Sequence, residues 1–490
     1  MMQTFAIVTL GCKVNQYESQ QIRELLEHLG LRCAQPPAHP DLIIVNTCCV
    51  THTASAKSRQ YIRRSQRLNP DAVLLVCGCL PSAQIGELHP LAENIHVIAN
   101  RDELPSQLYR IIASHTSISQ SKARRLTRIE TQVAPNINQA KHLSARLQPA
   151  STDPAAQFPP GPRPTTGGFN NPPHLPAVHP QHLPTLNAFK GHTRAFLKIQ
   201  DGCDGRCTYC IVPRARPIVR SKPLELVVQE ARALVAAGHR EIVLTGVFLG
   251  AYGQLSVRRE NWPDRRSDRL AELLDVLAEI PNLARIRLSS LEPADVTERL
   301  LEAFCRHPNI MPHLHLSLQS GSDAILRRMC RQYTADEFRA SVELIKARLD
   351  RPAITTDIIV GFPGETDADF ERTAKMAEDV GFLKMHIFAF SPREGTAAAK
   401  MKDAVARAVV KERTRVLQQL SAELGRRYRE QFVGESAEVL VEDNNGTARG
   451  RSERYFMVCI DGVQGKLRRN ELQVVRLVAN REDGMAGRLC

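Results

Sequence analysis

Residues 195–210 read AFLKIQDGCDGRCTYC, an apolar strand that leads directly into three closely spaced cysteines. Cys203, Cys207 and Cys210 follow a C-x3-C-x2-C spacing, which suits three corners of one four-iron cubane. Three ligands leave one iron open to bind a small molecule. A structural zinc site would need a fourth Cys or His close by, and this loop contains none. The stretch therefore predicts an iron–sulfur cluster at the end of a strand.

The same strand opens an alternation of strands and helices that continues to about residue 392. This pattern predicts a parallel, partial βα barrel, an architecture that carries its chemistry at the carboxyl ends of its strands. The predicted strands are Ala195–Ile199, Glu241–Leu244, Arg285–Leu288, His313–Leu318, Thr356–Val360 and His386–Phe390.

Polar residues recur at these strand ends. Each one alone could be a surface residue, a helix cap or part of a turn, but their recurrence at one rim favours a shared site. Their side chains, or the close backbone approach that a glycine allows, suit a cofactor with ribose, adenine and amino groups. The candidate cofactor-binding residues are Thr245, Gly246, Ser290, Glu292, Gln319 and Asp357.

Residues 1–112 form a second α/β pattern, with short apolar runs at 6–8, 42–45 and 73–76. Such runs are typical of buried parallel strands, so we predict a Rossmann- or flavodoxin-like domain. Cys12, Cys48 and Cys79 each lie just beyond one of these runs. Adjacent strands are about 4.8 Å apart, so the three cysteines can converge on one point. They predict a second cluster that also has an open iron.

Neighbouring cysteines leave an alternative open for this second site. Cys49 follows Cys48, and Cys77 lies two residues before Cys79, so either thiol could be a ligand. A zinc site made of Cys48, Cys49, Cys77 and Cys79 is possible, but it would leave Cys12 unused. The other cysteines have no partner spacing and are expected to be ordinary thiols: Cys33, Cys305, Cys330, Cys459 and Cys490.

The remaining segments differ in composition. Twelve prolines between residues 135 and 184 predict a disordered linker or insertion over 113–187. The core then spans 188–432, with an amphipathic connecting helix over Val405–Phe432, and 433–490 is expected to form a small antiparallel β-barrel.

Positive charge is concentrated outside the final segment. Residues 122–190 have a net charge of +6 and residues 402–429 of +5, whereas 433–490 are neutral. Within that final segment, Arg449, Arg451, Arg454 and the basic run 466–469 could face phosphate or simply be solvated.

Composition limits the location and the class of protein. The chain has 490 residues, of which 43% are hydrophobic, and this excludes wholesale disorder. The apolar run at 5–10 is too short for a membrane span and lacks the features of a signal peptide, so we expect a cytoplasmic protein with no membrane partner. Clustered cysteines then indicate metal or redox chemistry. A net charge of +13 is compatible with a polyanionic partner.

The C-x3-C-x2-C motif after the first barrel strand resembles the radical S-adenosylmethionine enzymes. The preceding three-cysteine domain makes the chain similar to the methylthiotransferases of that superfamily. The stretch at 11–19, GCKVNQYES, is close to the signature of the branch that acts on threonylcarbamoyladenosine in tRNA. Further matches are SSLEP at 289–293, HLSLQSGS at 315–322, TDIIVGFPGET at 356–366 and FSPREGT at 390–396.

The resemblance implies two [4Fe-4S] clusters and two molecules of S-adenosylmethionine per turnover. In this family the cluster at Cys203, Cys207 and Cys210 would generate a 5′-deoxyadenosyl radical, and the cluster at Cys12, Cys48 and Cys79 would supply sulfur. The expected product is 2-methylthio-N6-threonylcarbamoyladenosine at position 37 of tRNA. An external electron donor and a sulfur source would be partners, and the final barrel would be a TRAM-like RNA-binding module.

Two alternatives accompany this expectation. An enzyme of the same class could act instead on isopentenyladenosine tRNA or on a ribosomal protein. The alternative from a different functional class is a non-catalytic iron–sulfur or zinc protein that binds RNA. The chain also departs from the family pattern at Arg216-Pro217, where the family usually has Arg-Gly. Proline fixes φ and removes a donor, so a contact near the cluster loop is expected to differ.

Overall fold

The computed structural model describes residues 2–34, 39–88, 94–115, 183–262, 268–444, 446–462 and 467–490. Most of the predicted proline-rich linker, residues 116–182, lies outside the described residues, and so does Lys466 of the basic run. The helix Leu104–His115 continues past residue 112, and Leu186, just before residue 187, is fully buried. Ordered structure therefore extends into both ends of the segment predicted as a linker.

The amino-terminal domain is a five-stranded parallel sheet with helices on both faces. The strands are β1 (Thr4–Thr9), β2 (Arg32–Cys33), β3 (Leu42–Thr47), β4 (Val73–Gly78) and β5 (Ile95–Val97). The helices are α1 (Lys13–His28), α2 (His52–Leu68), α3 (Cys79–Gln84) and α4 (Leu104–His115). The strand order β2-β1-β3-β4-β5 is that of flavodoxin-like sheets and confirms the predicted fold class.

Alternation along the central strands places α1 and α4 on one face of this sheet and α2 on the other. Leu42 and Ile44 of β3 pack with Ile22 and Leu108 from α1 and α4. Ile43 and Val45, the intervening residues, instead pack with Ile62 of α2. Burial on both faces explains why the strands read as continuous apolar runs rather than as alternating ones.

The core domain is an arc of parallel strands, in agreement with the predicted partial barrel. Its strands are β6 (Ala195–Lys198), β9 (Glu241–Thr245), β10 (Arg285–Leu288), β11 (Ser290–Leu291), β12 (His313–Leu316), β13 (Ala353–Val360) and β14 (Lys384–Ala389). A two-stranded ribbon of β7 (Gln200–Asp201) and β8 (Arg220–Ser221) follows β6. The pairing runs β6-β9-β10 and then β11-β12-β13-β14, with β10 and β11 separated only by Ser289.

Helices connect the strands of this arc. They are α5 (Val212–Ala215), α6 (Leu224–Ala236), α7 (Arg269–Ala278), α8 (Glu298–Arg306), α9 (Asp323–Arg328), α10 (Ala335–Arg348) and α11 (Asp367–Val380). Several begin at a threonine or aspartate whose side chain accepts a backbone N–H of the first turn. Thr334 and Thr366 form full capping boxes with Glu337 and Asp369, which fixes where α10 and α11 start.

A long helix and a closed barrel complete the chain. Helix α12 (Arg407–Glu430) packs along β14 and leads to the strands β15 (Ser436–Asp443), β16 (Ala448–Ser452), β17 (Met457–Ile460), β18 (Leu472–Arg481) and β19 (Gly484–Leu489). The barrel order is β15-β16-β17-β19-β18. Four of its pairings are antiparallel, and the pairing of β17 with β19 is parallel.

Buried charges join this barrel to the core. Arg285 and Arg287 on β10 are fully buried beside Glu241 of β9, and Arg287 Nε donates to Glu241 at 3.0 Å. The Arg285 guanidinium also donates to the Arg451 carbonyl at 3.0 Å, and that of Arg287 donates to the Glu453 carbonyl at 3.1 Å. Each arginine therefore links the core sheet to the barrel.

No described helix is long and apolar enough to cross a membrane.

Replacing Glu241 by Gln should destabilise the core–barrel unit by about 3–5 kcal/mol, because it leaves the buried Arg287 guanidinium without its counter-charge, whereas Arg285 keeps Glu438 at 3.1 Å. Calorimetry of the unfolding transition that contains the core tests this expectation. Glu371→Gln on the exposed side of α11 is the matched control and should change stability by less than about 0.5 kcal/mol. Equal effects of the two substitutions would contradict this role for Glu241.

Candidate active site

The three cysteines of the core lie on a loop that is anchored on both sides. The loop follows β7, and the Cys203 N–H donates to the Arg216 carbonyl at 2.8 Å. The Cys210 N–H donates to the Cys207 carbonyl at 3.0 Å, which closes a tight turn between these two ligand candidates. Thr208 ties the middle of the loop to the end of α9 through the Met329 carbonyl. The loop therefore holds the three thiols in a fixed arrangement.

Gly202 fits this loop against the segment that follows it. Its φ is +80°, and a Cβ at this position would lie 1.7 Å from the Ile218 carbonyl oxygen. Only glycine allows that approach. Pro217, the departure from the family pattern, directly follows Arg216, whose carbonyl accepts the Cys203 N–H.

The three thiols open onto a cavity of about 400 Å³ at the carboxyl ends of the strands. Ser290, Glu292 and Gln319, three of the six predicted cofactor residues, line the same cavity. Gln319 has a φ of +64°, which is rare for a residue other than glycine, and its backbone bonds to Asp357 and Ile359 hold this conformation. Backbone strain at such a position is characteristic of residues that contribute to a binding site.

The other three predicted residues do not line this cavity. Thr245 is buried at the end of β9, and a Cβ on Gly246 would lie 3.0 Å from the Gln200 side chain. Asp357 lies within β13, three residues before its end, and pairs with His315 Nε2 at 3.3 Å. The predicted end of this strand at Val360 agrees with the structure, so Asp357 lies inside the strand rather than at its end.

Arg331 is a cavity residue that the sequence did not point to. Its guanidinium donates to Cys207 Sγ at 3.1 Å and forms an ion pair with Glu292. Both side chains are largely buried, and burial raises the pKa of Glu292. Desolvation also raises the pKa of Cys203 and of Cys210 to about 12. The sequence around Arg331 contains no motif that indicates a contact with Cys207, so only the fold shows it.

Cys12, Cys48 and Cys79 come together at the carboxyl edge of the amino-terminal sheet, as predicted from adjacent strands. Cys12 precedes α1, Cys48 follows β3, and Cys79 begins α3 directly after β4. Their thiols are close enough to influence one another electrostatically. Asn15 joins two of the loops, since its Nδ2 donates to the Leu10 carbonyl at 2.8 Å and to the Thr47 carbonyl at 2.9 Å.

Cys79 has the environment of a thiolate. Its pKa is lowered, first by a hydrogen bond from the Cys49 thiol and then by the guanidinium groups of Arg101 and Arg216. Arg101 donates to Cys79 Sγ at 3.1 Å, and the Cys49 thiol also donates to the Cys79 carbonyl at 3.3 Å. Thiolate is the form that binds metal. Cys49 therefore supports Cys79, a role that the sequence did not predict.

Cys77 does not share this site. It packs with Leu75 and Phe5 in the cluster on the face of the sheet that α1 and α4 cover. Cys79 and Cys49 belong instead to the cluster on the opposite face, because Gly78, with a φ of +96°, turns the chain out of the strand. A zinc site that combines Cys77 with Cys79 is therefore not formed.

The two cysteine triads face each other across the junction of the two domains. Ile211 and Ala215, which follow Cys210, pack with Cys49, Cys79 and Leu80 in one apolar cluster. Cys210 and Cys79 are close enough for an electrostatic interaction.

Buried ion pairs lock the same junction. Arg216 donates to both oxygens of Glu18 at 2.7 and 2.8 Å and to Asp201 at 2.7 Å. Arg101 and Lys198 complete the network at 2.9 and 3.1 Å from Glu18.

These donor sets suit clusters better than single ions. Among the described residues, no three Cys, His, Asp or Glu side chains are grouped closely enough to enclose one metal ion. A cubane binds each cysteine through a different iron, so its ligands stand farther apart than those of one ion. The Cys203, Cys207 and Cys210 thiols line one cavity, and guanidinium groups donate to Cys207 and Cys79, so the residues present fit the ligands of such a cluster.

Comparison with known proteins agrees with this geometry. Residues 197–377 match the model of the Radical SAM superfamily, and residues 4–100 match the model described as Uncharacterized protein family UPF0004. A Thermotoga maritima protein named threonylcarbamoyladenosine tRNA methylthiotransferase MtaB is 35% identical over 457 residues, which cover 93% of this chain and 90% of that protein. The Bacillus subtilis protein of the same name is 33% identical over 94% of this chain and 91% of its own length.

The chain belongs to the methylthiotransferase family of radical S-adenosylmethionine enzymes. A second branch of this family is also similar: a Geobacillus kaustophilus protein named tRNA-2-methylthio-N(6)-dimethylallyladenosine synthase is 33% identical over 451 residues. That alignment covers 90% of this chain and 73% of the relative. Membership in the family confirms the enzyme class that the two cysteine patterns predicted.

The fit of Gly202 can be tested against a matched glycine. Gly202→Ala should lower the free energy of unfolding of the core by about 1–2 kcal/mol, because alanine is strained at a positive φ. The clash between the added Cβ and Ile218 should lower it further, by about 1–3 kcal/mol. Gly238→Ala, with a φ of +94° and nothing within 4 Å of the added Cβ, should show only the first loss. Chemical unfolding of both variants measures the difference. Equal losses would show that the close approach at Gly202 contributes nothing.

Proposed function

We propose that this chain is a tRNA methylthiotransferase that converts N6-threonylcarbamoyladenosine at position 37 to 2-methylthio-N6-threonylcarbamoyladenosine. The observation that carries the proposal is the position of the two triads on facing loops of one domain junction. A reaction that activates a carbon and then adds sulfur to it needs both sources beside one substrate atom. The names of the relatives at 33–35% identity support the choice of base, and tRNA as substrate implies a cytoplasmic enzyme.

We assign one [4Fe-4S] cluster to Cys203, Cys207 and Cys210 and a second to Cys12, Cys48 and Cys79. When bound, the first cluster and S-adenosylmethionine supply the one-electron chemistry that activates a C–H bond, and the second cluster supplies sulfur. One S-adenosylmethionine is consumed in the activation and another donates the methyl group. An external electron donor and a sulfur source complete the requirements.

The side chains of the 400 Å³ cavity would bind and orient S-adenosylmethionine. Ser290 and Gln319 offer hydroxyl and amide groups to a ribose or an adenine. Glu292 offers a carboxylate to an amino group, and its ion pair with Arg331 fixes the direction in which it points. The Arg331 donor on Cys207 would also raise the reduction potential of a cluster bound there, because it stabilises the added negative charge.

The two triads can be separated by cysteine substitution. Replacing Cys203, Cys207 or Cys210 by Ala should abolish formation of 5′-deoxyadenosine, because the cofactor then has no cluster to bind. Replacing Cys12, Cys48 or Cys79 should preserve 5′-deoxyadenosine and abolish the methylthio product. Mass spectrometry of the nucleosides measures both products in each reaction.

Iron content gives the second readout of the same variants. After anaerobic reconstitution the wild-type chain should bind about eight irons, and each class of variant about four. Cys305→Ala, an exposed cysteine on α8, is the control and should retain all eight irons and both products. A Cys12→Ala protein that still forms methylthio product would refute the second site.

The substrate base is tested in tRNA from a strain that lacks the gene. Nucleoside mass spectrometry should show that 2-methylthio-N6-threonylcarbamoyladenosine is lost and that its precursor without the methylthio group accumulates. Re-expression of the chain should restore the product. Loss of 2-methylthio-N6-isopentenyladenosine instead would place the enzyme in the other branch. Unchanged tRNA would contradict an RNA substrate.

A further inference from the structure

Helix α2 carries a concentration of positive charge that the proposed chemistry does not use. It contains five lysines and arginines and no aspartate or glutamate over its 17 residues, His52–Leu68. A helix on the surface of a domain normally mixes both signs, because alternating charges stabilise one another. This composition costs stability through repulsion, so it points to an anionic partner. The cations are Lys57, Arg59, Arg63, Arg64 and Arg67.

These cations are directed outward. Lys57, Arg63, Arg64 and Arg67 are exposed, and none of these four forms an ion pair with any residue in the part of the chain that the structure describes. The opposite side of the helix is buried through Ser55, Ser58 and Ile62. The charge is therefore available to a ligand rather than neutralised within the protein.

The arginines are arranged along a groove rather than scattered. Arg59, Arg63, Arg64 and Arg67 line a shallow groove of about 420 Å³ together with Ala56 and Gln60. Positions 56, 60, 63 and 67 follow the three- and four-residue spacing of one helix face. The guanidinium groups extend over about 12 Å of the helix axis, at 1.5 Å per residue. A row of planar donors over such a length suits successive phosphates of a backbone.

Helix α2 starts at the rim of the active site, and the groove begins about one turn along it, at Ala56. Helix α2 begins four residues after Cys48, and its first residue, His52, donates its backbone N–H to Ser391 Oγ of the core at 3.0 Å. Arg393 donates to Ser55 Oγ at 2.7 Å in the next turn. Ser391 lies two residues beyond β14, at the carboxyl end of the arc. An RNA whose base enters the junction would therefore pass along α2.

The cations expected to face phosphate in the final barrel are differently placed. Arg449 pairs with Asp443 at 2.8 Å, and Arg454 pairs with Asp350 at 3.0 Å. Arg469, from the basic run, donates to Thr193 Oγ1 at 2.6 Å and to the Gly191 carbonyl at 2.9 Å, so it holds the barrel against the core. Arg449, Arg454 and Arg469 would have to exchange protein partners for phosphate, whereas the four exposed cations of α2 would not.

We propose that the outward face of α2 docks the phosphate backbone of the substrate tRNA beside the anticodon. This inference rests on the proposed function, because it takes tRNA as the polyanion that reaches the domain junction. The four exposed cations of α2, Lys57, Arg63, Arg64 and Arg67, have no ion-pair partner among the described residues, and phosphate contacts of this kind position an RNA without reading its sequence. Helix α2 would add affinity and orientation, while recognition of the modified base would remain with the junction.

The test compares two triple variants that lose the same charge. Arg63→Gln/Arg64→Gln/Arg67→Gln removes three donors from α2, and Gln preserves helix propensity. The control, Arg232→Gln/Arg240→Gln/Arg306→Gln, removes three exposed arginines from the outer surface of the core. Fluorescence anisotropy with tRNA that carries threonylcarbamoyladenosine measures the Kd of the reconstituted full chain at several salt concentrations. Thermal unfolding verifies that each variant is folded.

The α2 variant should bind this tRNA about tenfold or more weakly than wild type near physiological salt, and its slope of log K against log salt should fall by about 2. The control variant should keep the affinity and the slope of the wild type. If the wild-type chain binds tRNA and the folded α2 variant binds it equally well, the inference about α2 is overturned and its charge serves another anionic partner. If the wild-type chain itself does not bind this tRNA, the proposed function fails first.

Discussion

The buried ion-pair network between the two domains is the constraint on which the site depends. Glu18 and Asp201 contribute two negative charges, and Arg101, Lys198 and Arg216 contribute three positive ones. The excess positive charge lies beside Cys79, and the guanidinium groups help to lower the pKa of that thiol. A thiolate at Cys79 would balance the network, so the charge that holds the domains together also prepares one cysteine for metal.

This network fixes two loops at once. Asp201 lies two residues before Cys203, and Glu18 lies on the helix that begins after Cys12. Arg216 contacts both carboxylates and also reaches Asn15, which ties together the loops of Cys12 and Cys48. Because removal of one member would leave other buried charges uncompensated, the domains cannot shift independently at low cost. The two triads therefore keep one relative position, which a reaction with two centres requires.

Much of the fold and the two triads could be predicted from the sequence because they depend on local patterns. Continuous apolar runs predict parallel strands that are buried on both faces, and cysteines at the ends of these runs predict ligands of a shared site. Ser290, Glu292 and Gln319 were found because strand ends of a barrel share one rim. Asp357 does not line the cavity, because it lies within β13 and pairs with His315 of the neighbouring strand.

Contacts between distant segments could not be predicted in this way. Arg331 and Arg101 reach their cysteines only after folding, and Glu18 meets Arg216 across 198 positions of sequence. The sequence also could not show which cations are free to bind a ligand, because a count of arginines does not reveal which of them form ion pairs with carboxylates. Arg449, Arg454 and Arg469 of the barrel are held by protein acceptors, while the four exposed cations of α2 have no ion-pair partner among the described residues.

The central claim is that two separate iron–sulfur sites face each other across this domain junction. Anomalous X-ray scattering at the iron edge, from crystals of the anaerobically reconstituted chain, tests it directly. We expect two iron peaks, one beside Cys203, Cys207 and Cys210 and the other beside Cys12, Cys48 and Cys79, on either side of the contact between α3 and α5. A single iron peak at the core loop, with zinc or no metal beside Cys48 and Cys79, would contradict the account.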